Sequence, residues 1–408
     1  MNSETTVLLV FVVAYAGMVL GGIPGLAIDR TGVALLCAIA LLATECVTAT
    51  AAWEAIDVPT IALLFGLMVL SAQFRLGGVY AAITRRLAGA DVAPGALLAL
   101  LIVVSAGLSA ILANDIVCLA CAPLLVEGCL RRGLRPQPFL LALACASNIG
   151  SAATLIGNPQ NMLVGQKLQL SFAGYLLDGV PPAALGCVAL WAIIRWQVGQ
   201  RWTQPVVKVE VKAPHLHRWQ ATKGSLVTVG LMVAFLVTPW PREIVALTAA
   251  GLLLLSRRLH TRSILGLVDW ELLVLFAGLF VINHALAASG LLNVGLDTLR
   301  NTGVHLAHPG WLFGVTAVLS NLVSNVPAVM LLLPTAEHPH AGAILALSST
   351  LAGNLFIVGS IANIIVVDQA ARHGVRIGWR EHARTGVPVT LATLAIAGGW
   401  LWLRAAIT

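Results

Sequence analysis

Long apolar runs alternate with short polar joins over nearly the whole chain. A helix of about 20 apolar residues spans the hydrocarbon of a bilayer. On that rule the pattern predicts full crossings at residues 4–22, 31–50, 58–74, 136–165, 175–195, 224–238, 243–256, 269–287, 342–368 and 385–403. Two apolar segments remain, 94–130 and 309–335. The second has 27 residues, too few for two crossings of about 20. Two of the crossings carry polar and helix-breaking residues at mid-membrane, in the stretches Ser147 to Asn161 and Ser348 to Asn363. Unsatisfied backbone in hydrocarbon costs several kcal/mol, so such breaks survive only inside protein or around a polar cavity. Paired breaks in two halves of a chain point to a transporter binding site.

The basic residues fix the topology. If 94–130 and 309–335 are both re-entrant hairpins, every Lys and Arg falls on one side except Lys167, Arg242, Arg300 and Arg404. The positive-inside rule prefers this arrangement, which places both termini outside. A repeat follows from it: Ile56-Asp57 through Phe65-Gly66-Leu67 recurs as Val268-Asp269 through Ala277-Gly278-Leu279. Each recurrence precedes a hairpin, a broken helix and a last span. The expected fold is an all-α polytopic membrane protein of two inverted repeats, each with five crossings, one re-entrant hairpin and one broken helix. The first repeat covers 1–196, with opening helices in 1–93, hairpin and broken helix in 94–165 and the last span in 175–196. A cytoplasmic linker, 197–222, leads to the second repeat, 223–408, with hairpin and broken helix in 309–368.

Composition agrees. The 408 residues are 59% hydrophobic and 10% charged, where a soluble protein has about 25% charged residues. The net charge of +7 sits in loops between apolar runs, with no reader motif beside it, so no nucleic-acid partner is expected. The first residues, Met1 to Thr6, lack a basic start, so the run from Val7 to Leu20 reads as a retained span. All seven cysteines lie in apolar segments and read as packing residues. The chain is expected in the inner (plasma) membrane as a multi-pass protein.

The candidate chemistry lies at the hairpin tips and the breaks. Asn114, Asp115, Ser324 and Asn325 stand at the tips. Ser147, Asn148, Gly150, Thr154, Gly157, Asn158 and Asn161 stand in the first break, and Ser349, Thr350, Asn354, Gly359, Ser360 and Asn363 in the second. Tips dipping from opposite faces would meet the breaks near the midplane, where half-helix N-termini suit an anion and free carbonyls suit a cation. The spacing Gly157-x-x-x-Asn161 recurs as Gly359-x-x-x-Asn363. Apart from Asp115, only Glu127 is charged in either hairpin. An isolated charge at that depth costs at least about 2.5–3.5 kcal/mol, so Asp115 is expected to bind a proton or a cation. Its other reading is a cap on the second arm of the hairpin. No metal site and no nucleotide loop are expected, and no nucleophile–base pair suggests an enzyme.

The segments Ala113-Asn114-Asp115, Ser147 to Asn161, Ser324-Asn325-Val326-Pro327 and Gly353 to Asn363 resemble the ion transporter superfamily. That superfamily includes arsenite permeases, one type of sodium/proton antiporter and divalent-anion symporters. The ending Trp379 through Thr385-Gly386 resembles its arsenite/anion permease branch. The resemblance runs nearly end to end and implies dimerisation through a scaffold domain, whose helices in the first repeat are 1–93, with a transport domain that moves as an elevator. Dicarboxylate members carry Ser-Asn-Thr at both tips; here only the asparagines match, and Asp115 replaces a hydroxyl. The expectation is a proton-coupled secondary transporter, with Asp115 as the coupling residue, of a small anion or its neutral acid, arsenite-like or another inorganic or organic anion. A sodium/proton antiporter is the alternative, and a sodium-coupled di- or tricarboxylate symporter ranks third. No cofactor is expected beyond a coupling ion, H+ or else Na+, and a separate ATPase subunit stays open as a partner.

Overall fold

The computed structural model describes residues 3–23, 25–206 and 215–407. Residues 207–214 of the expected linker, with Lys208 and Lys212, lie outside the described residues. The first half contains α1 (Ser3–Leu20), α2 (Arg30–Ala43), α3 (Ala49–Ala55), α4 (Val58–Leu76) and α5 (Val79–Ala88), followed by α6 (Pro94–Ile111), α7 (Asn114–Arg131), α8 (Pro136–Ser151), α9 (Pro159–Lys167) and α10 (Phe172–Val198). The second contains α11 (Arg218–Val237), α12 (Arg242–Leu254), α13 (Thr261–Leu265), α14 (Trp270–Ala288) and α15 (Leu291–Asn301), followed by α16 (Pro309–Val323), α17 (Asn325–Leu332), α18 (Ala341–Ala352), α19 (Ile361–Arg372) and α20 (Trp379–Ile407).

Among the described residues, seven helices are long and apolar enough to cross a bilayer: α1, α4, α6, α10, α11, α14 and α20. The sequence pattern predicts ten crossings, and the difference has local causes. The 31–50 run divides into α2 and α3, because the chain turns at Glu45 (φ +55°) and Thr48 caps a new helix by accepting from the Ala51 N–H. The 243–256 run is a 13-residue helix, about 20 Å long. The two interrupted crossings are the pairs α8/α9 and α18/α19, broken where the polar residues stand. The 94–130 segment divides after Ile111 into α6 and α7, and α6, with 18 residues, could cross unaided. The 309–335 hairpin has arms too short for that. Helices α5 and α15 mix apolar and charged positions and gave no apolar run to notice.

Asp57 and Asp269, the matching residues of the repeat, are N-caps: each Oδ1 accepts the N–H three residues on, from Thr60 at 2.8 Å and Leu272 at 2.9 Å. A cap of this kind is worth about 1 kcal/mol. The helices they start cross partners at glycine. Gly66 of α4 lies on the Ala246 backbone of α12, and Gly278 of α14 on the Ala34 backbone of α2; a Cβ would stand 2.7 and 2.9 Å from those carbonyl carbons. Small residues let membrane helices approach this closely, which is how they associate without a hydrophobic drive. Helices α8 and α18 are buried almost throughout, whereas α11 exposes Leu226, Val229, Val233 and Leu236, a face suited to lipid.

Candidate substrate and ion site

Each break is stabilised from its far side by an asparagine. Helix α8 ends at Ser151, and Asn158 starts α9 by accepting the Asn161 N–H at 2.9 Å. Asn161 Nδ2 then donates back to the Thr154 and Ser151 carbonyls at 2.9 and 3.3 Å. The second break repeats this: Ser360 Oγ caps α19 at the Ala362 N–H, and Asn363 Nδ2 donates to the Gly353 and Phe356 carbonyls at 2.8 and 3.0 Å. The recurring spacing thus serves to satisfy carbonyls that unwinding would otherwise leave unpaired.

The two breaks are joined by side chains. Asn148 Nδ2 donates to Asn354 Oδ1 (2.9 Å) and Asn363 Oδ1 (3.3 Å), and its Oδ1 accepts from Ser360 Oγ (2.9 Å) and Asn114 Nδ2 (3.3 Å). Thr350 holds the corresponding place in the other half: its Oγ accepts from Asn158 and Gln160 and lies 3.3 Å from Asn161 Oδ1. Ser151 joins the two sets into one buried network, its Oγ accepting from Asn158 at 3.0 Å and donating to the Asn148 carbonyl at 2.9 Å, and Asn114, the residue after Ala113, belongs to it as well. Among the described residues no Lys or Arg side chain bonds to the members of this network.

Several polar atoms here have no partner: Ser147 Oγ, Asn325 Oδ1, Asn354 Nδ2 and, unforeseen, Asn321 Oδ1 and Ser320 Oγ. An unpaired buried polar atom costs about 1–3 kcal/mol, so these mark where a ligand or water would be taken. Ser324 joins α16 to α17 at φ +77°, a strained conformation for a residue with a Cβ. Asp115 is partly buried in the first turn of α7, and among the described residues its carboxylate has no hydrogen-bond or ion-pair partner. It is not a helix cap, since the N-cap is Ala113 and no side chain caps that end.

Other expected residues are engaged in packing. A Cβ on Gly150 would meet the Ala106 carbonyl oxygen at 2.2 Å, and one on Gly157 the Ser151 oxygen at 2.4 Å, so both serve close approach; Gly150 also borders an apolar crevice between α6 and α10, apart from the polar network. Gly359 differs, facing Asn321 Oδ1 and the Gly353 carbonyl. Thr154 Oγ donates to the Ala110 carbonyl, tying the break to α6, and Ser349 bonds within its own helix. The structure adds residues the pattern missed. Ser71 accepts the Ala113 N–H at 3.1 Å, Tyr175 links Asn161 to the Ala152 carbonyl, and His382 lies 3.1 Å from the Asn354 carbonyl. They come from distant helices, where single polar residues in apolar runs carry no mark of their destination. Gln160 and Asn321 lie inside or beside the polar stretches and could have been included.

Broken helices facing hairpin tips around a buried polar network define a multi-pass membrane transporter rather than an enzyme. The chain belongs to the citrate transporter family, whose model matches residues 7–347. It is 31% identical to an uncharacterized transporter of Mycobacterium tuberculosis, over 92% of this chain and 94% of that protein. It is 28% identical to the silicon efflux transporter LSI3 of Oryza sativa subsp. japonica, covering 92% of each chain. In fold it is similar to the YdaH transporter of Alcanivorax borkumensis, with a TM-score of 0.64 at 16% identity, over 99% of this chain and 98% of that one. The superfamily resemblance is thereby confirmed, and the protein is a multi-pass protein of the inner (plasma) membrane.

Proposed function

We propose that this protein is a proton-coupled secondary transporter of a small neutral oxyacid or its anion, with Asp115 carrying the coupled proton. The observation that carries the reading is the make-up of the site: amides and hydroxyls, one unpaired carboxylate at a hairpin tip, and no Lys or Arg side chain among the described residues, with His382 engaged on the Asn354 carbonyl. Such a site can hydrogen-bond a small hydroxylated acid, but it offers nothing to neutralise a multiply charged anion. An ionised Asp115 would repel a dianion, and a proton on it would remove that objection. The relative named for silicon efflux agrees with a weak oxyacid. Moving one charge through 100 mV yields about 2.3 kcal/mol, so one coupled proton can sustain roughly a 50-fold gradient without ATP.

The movement we infer is alternating access of an elevator type, in a homodimer, between two inverted repeats. The reciprocal crossings of α4 on α12 and α14 on α2, and the reciprocal use of Asn148 and Thr350, support the repeat. The second reading is a cation-coupled carboxylate symporter, favoured by the family's description. In it a sodium ion would supply the positive charge the side chains lack.

Proteoliposome flux separates the two. Arsenite, silicic acid and citrate would each be offered under an imposed pH gradient and, separately, a sodium gradient, for wild type and Asp115→Asn. Proton-driven flux of a neutral acid, uncoupled in the variant, is expected. Sodium-driven citrate uptake that survives in Asp115→Asn would overturn the first reading in favour of the second.

A further inference from the structure

An arginine and a capping aspartate recur at both ends of the molecule but are tied differently, and the clasp residues Gln166, Lys167 and Glu243 correspond to Asp368, Gln369 and Thr31 in the other half. Arg242 opens α12 as Arg30 opens α2, and Asp57 caps α4 as Asp269 caps α14. Aligning Asn161 with Asn363 pairs the end of α9, Gly165 to Leu170, with Val367 to Arg372 of α19. At the end away from the basic loops, Arg242 donates to the Gly165 carbonyl at 3.3 Å and to the Leu170 carbonyl. Gln166 donates to Glu243 at 2.9 Å, and Lys167 pairs with Asp57 at 2.5 Å. A clasp of four contacts thus holds the broken helix to α4 and α12.

At the basic end the equivalent residues are turned elsewhere. Arg30 donates to the Met18 carbonyl at 3.0 Å, and Asp368 pairs with Arg372 at 2.8 Å while accepting from Gln369. Asp269 Oδ1 accepts the Leu272 N–H, the cap alone. Exposure follows the same division: Ile156 and Met162 of the first break are 1% and 3% exposed, whereas their equivalents Val358 and Ile364 are 43% and 39% exposed. The first break is covered by the rest of the chain, and the second is not.

We propose that Arg30, Asp269 and the Val367–Arg372 end of α19 form a second clasp at the basic end in the opposite conformation, and that the two clasps close in turn. Arg30 then takes the Val367 and Arg372 carbonyls, and Asp269 takes Gln369, as Arg242 and Asp57 do here for their own partners. The proposal rests on the inverted-repeat, alternating-access reading. It assigns each conformation its own lock, so neither state is the default by packing alone.

Cysteine pairs in native membranes test it, treated with a short bismaleimide and compared with each single-cysteine variant. Asp57→Cys with Lys167→Cys should cross-link in the resting protein, and Asp269→Cys with Gln369→Cys should not. Adding Arg242→Ala removes the clasp seen here and should raise the second cross-link about ten-fold, within the usual range of conformational coupling. Arg242→Lys keeps the charge but not the fork of donors, and should fall between. Labelling of Ile364→Cys and Met162→Cys with a water-soluble maleimide reads the conformation independently. If Arg242→Ala makes Met162→Cys reactive and Ile364→Cys protected without the second cross-link forming, the clasp is wrong and alternating access stands. If neither label responds to Arg242→Ala or to a pH gradient with arsenite or citrate, both fall.

Discussion

Replacing Asn148 and Asn325 separately by alanine should distinguish a residue that holds the site together from one that faces its ligand. Asn148 makes four hydrogen bonds, two at 2.9 Å and two at 3.3 Å. A buried hydrogen bond contributes about 0.5–1.5 kcal/mol net. With the longer pair at the low end and the shorter pair at the high end, Asn148→Ala should cost about 4 kcal/mol. Asn325 presents the opposite case, because its buried Oδ1 has no partner. Deleting an unpaired polar atom removes a penalty, so Asn325→Ala should leave stability within about 1 kcal/mol of wild type or raise it. Thermal unfolding in detergent measures both, at about 2–4 °C per kcal/mol for a chain larger than a small domain. Asn148→Ala should lower the midpoint by roughly 8–16 °C. Asn325→Ala should keep its midpoint yet lose most flux in proteoliposomes. If the two variants lose stability alike, and flux only in proportion, the unpaired atoms are not the ligand's and the site has been placed wrongly.

Three further outcomes follow from particular residues. Ser324→Gly should stabilise the protein by about 1 kcal/mol by relieving the φ of +77°, but should raise the substrate concentration needed for half-maximal flux if the strained tip pre-orders Asn325. Gly278→Ala would press a Cβ to 2.9 Å from the Ala34 backbone and should cost about 1–3 kcal/mol, seen as a lower unfolding midpoint with the flux per folded molecule unchanged. Thr350→Val keeps the shape but removes the hydroxyl shared with Asn158, Gln160 and Asn161. It should destabilise the protein by about 1–3 kcal/mol, and in combination with Asn148→Ala should depart from additivity, since both close the same network.

Much of this protein was legible from order along the chain. Bilayer thickness sets the length of an apolar run, and the backbone's need for partners forbids polar breaks in lipid, so most of the long spans and both helix breaks follow from local pattern. The likeness of Asp57-to-Leu67 and Asp269-to-Leu279 was equally visible, because capping and close crossing demand the same residues in both places. What each polar residue does was not legible. Asn148 and Thr154 stand six residues apart in one stretch, yet one bridges the two halves and the other only ties its break to α6. Gly150 and Gly157 look like lining residues until Ala106 and Ser109 arrive from α6. Asp115 is adjacent to Asn114, but only the fold leaves the first without a partner and gives the second Asn148. Helix periodicity decides which face a residue occupies; which helix comes to meet that face depends on contacts hundreds of residues away. The covered and open breaks add a last distinction. Arg30 and Asp269 repeat Arg242 and Asp57, but Lys167 and Glu243 have only Gln369 and Thr31 as their counterparts, so sequence and packing together make one end tied and the other free.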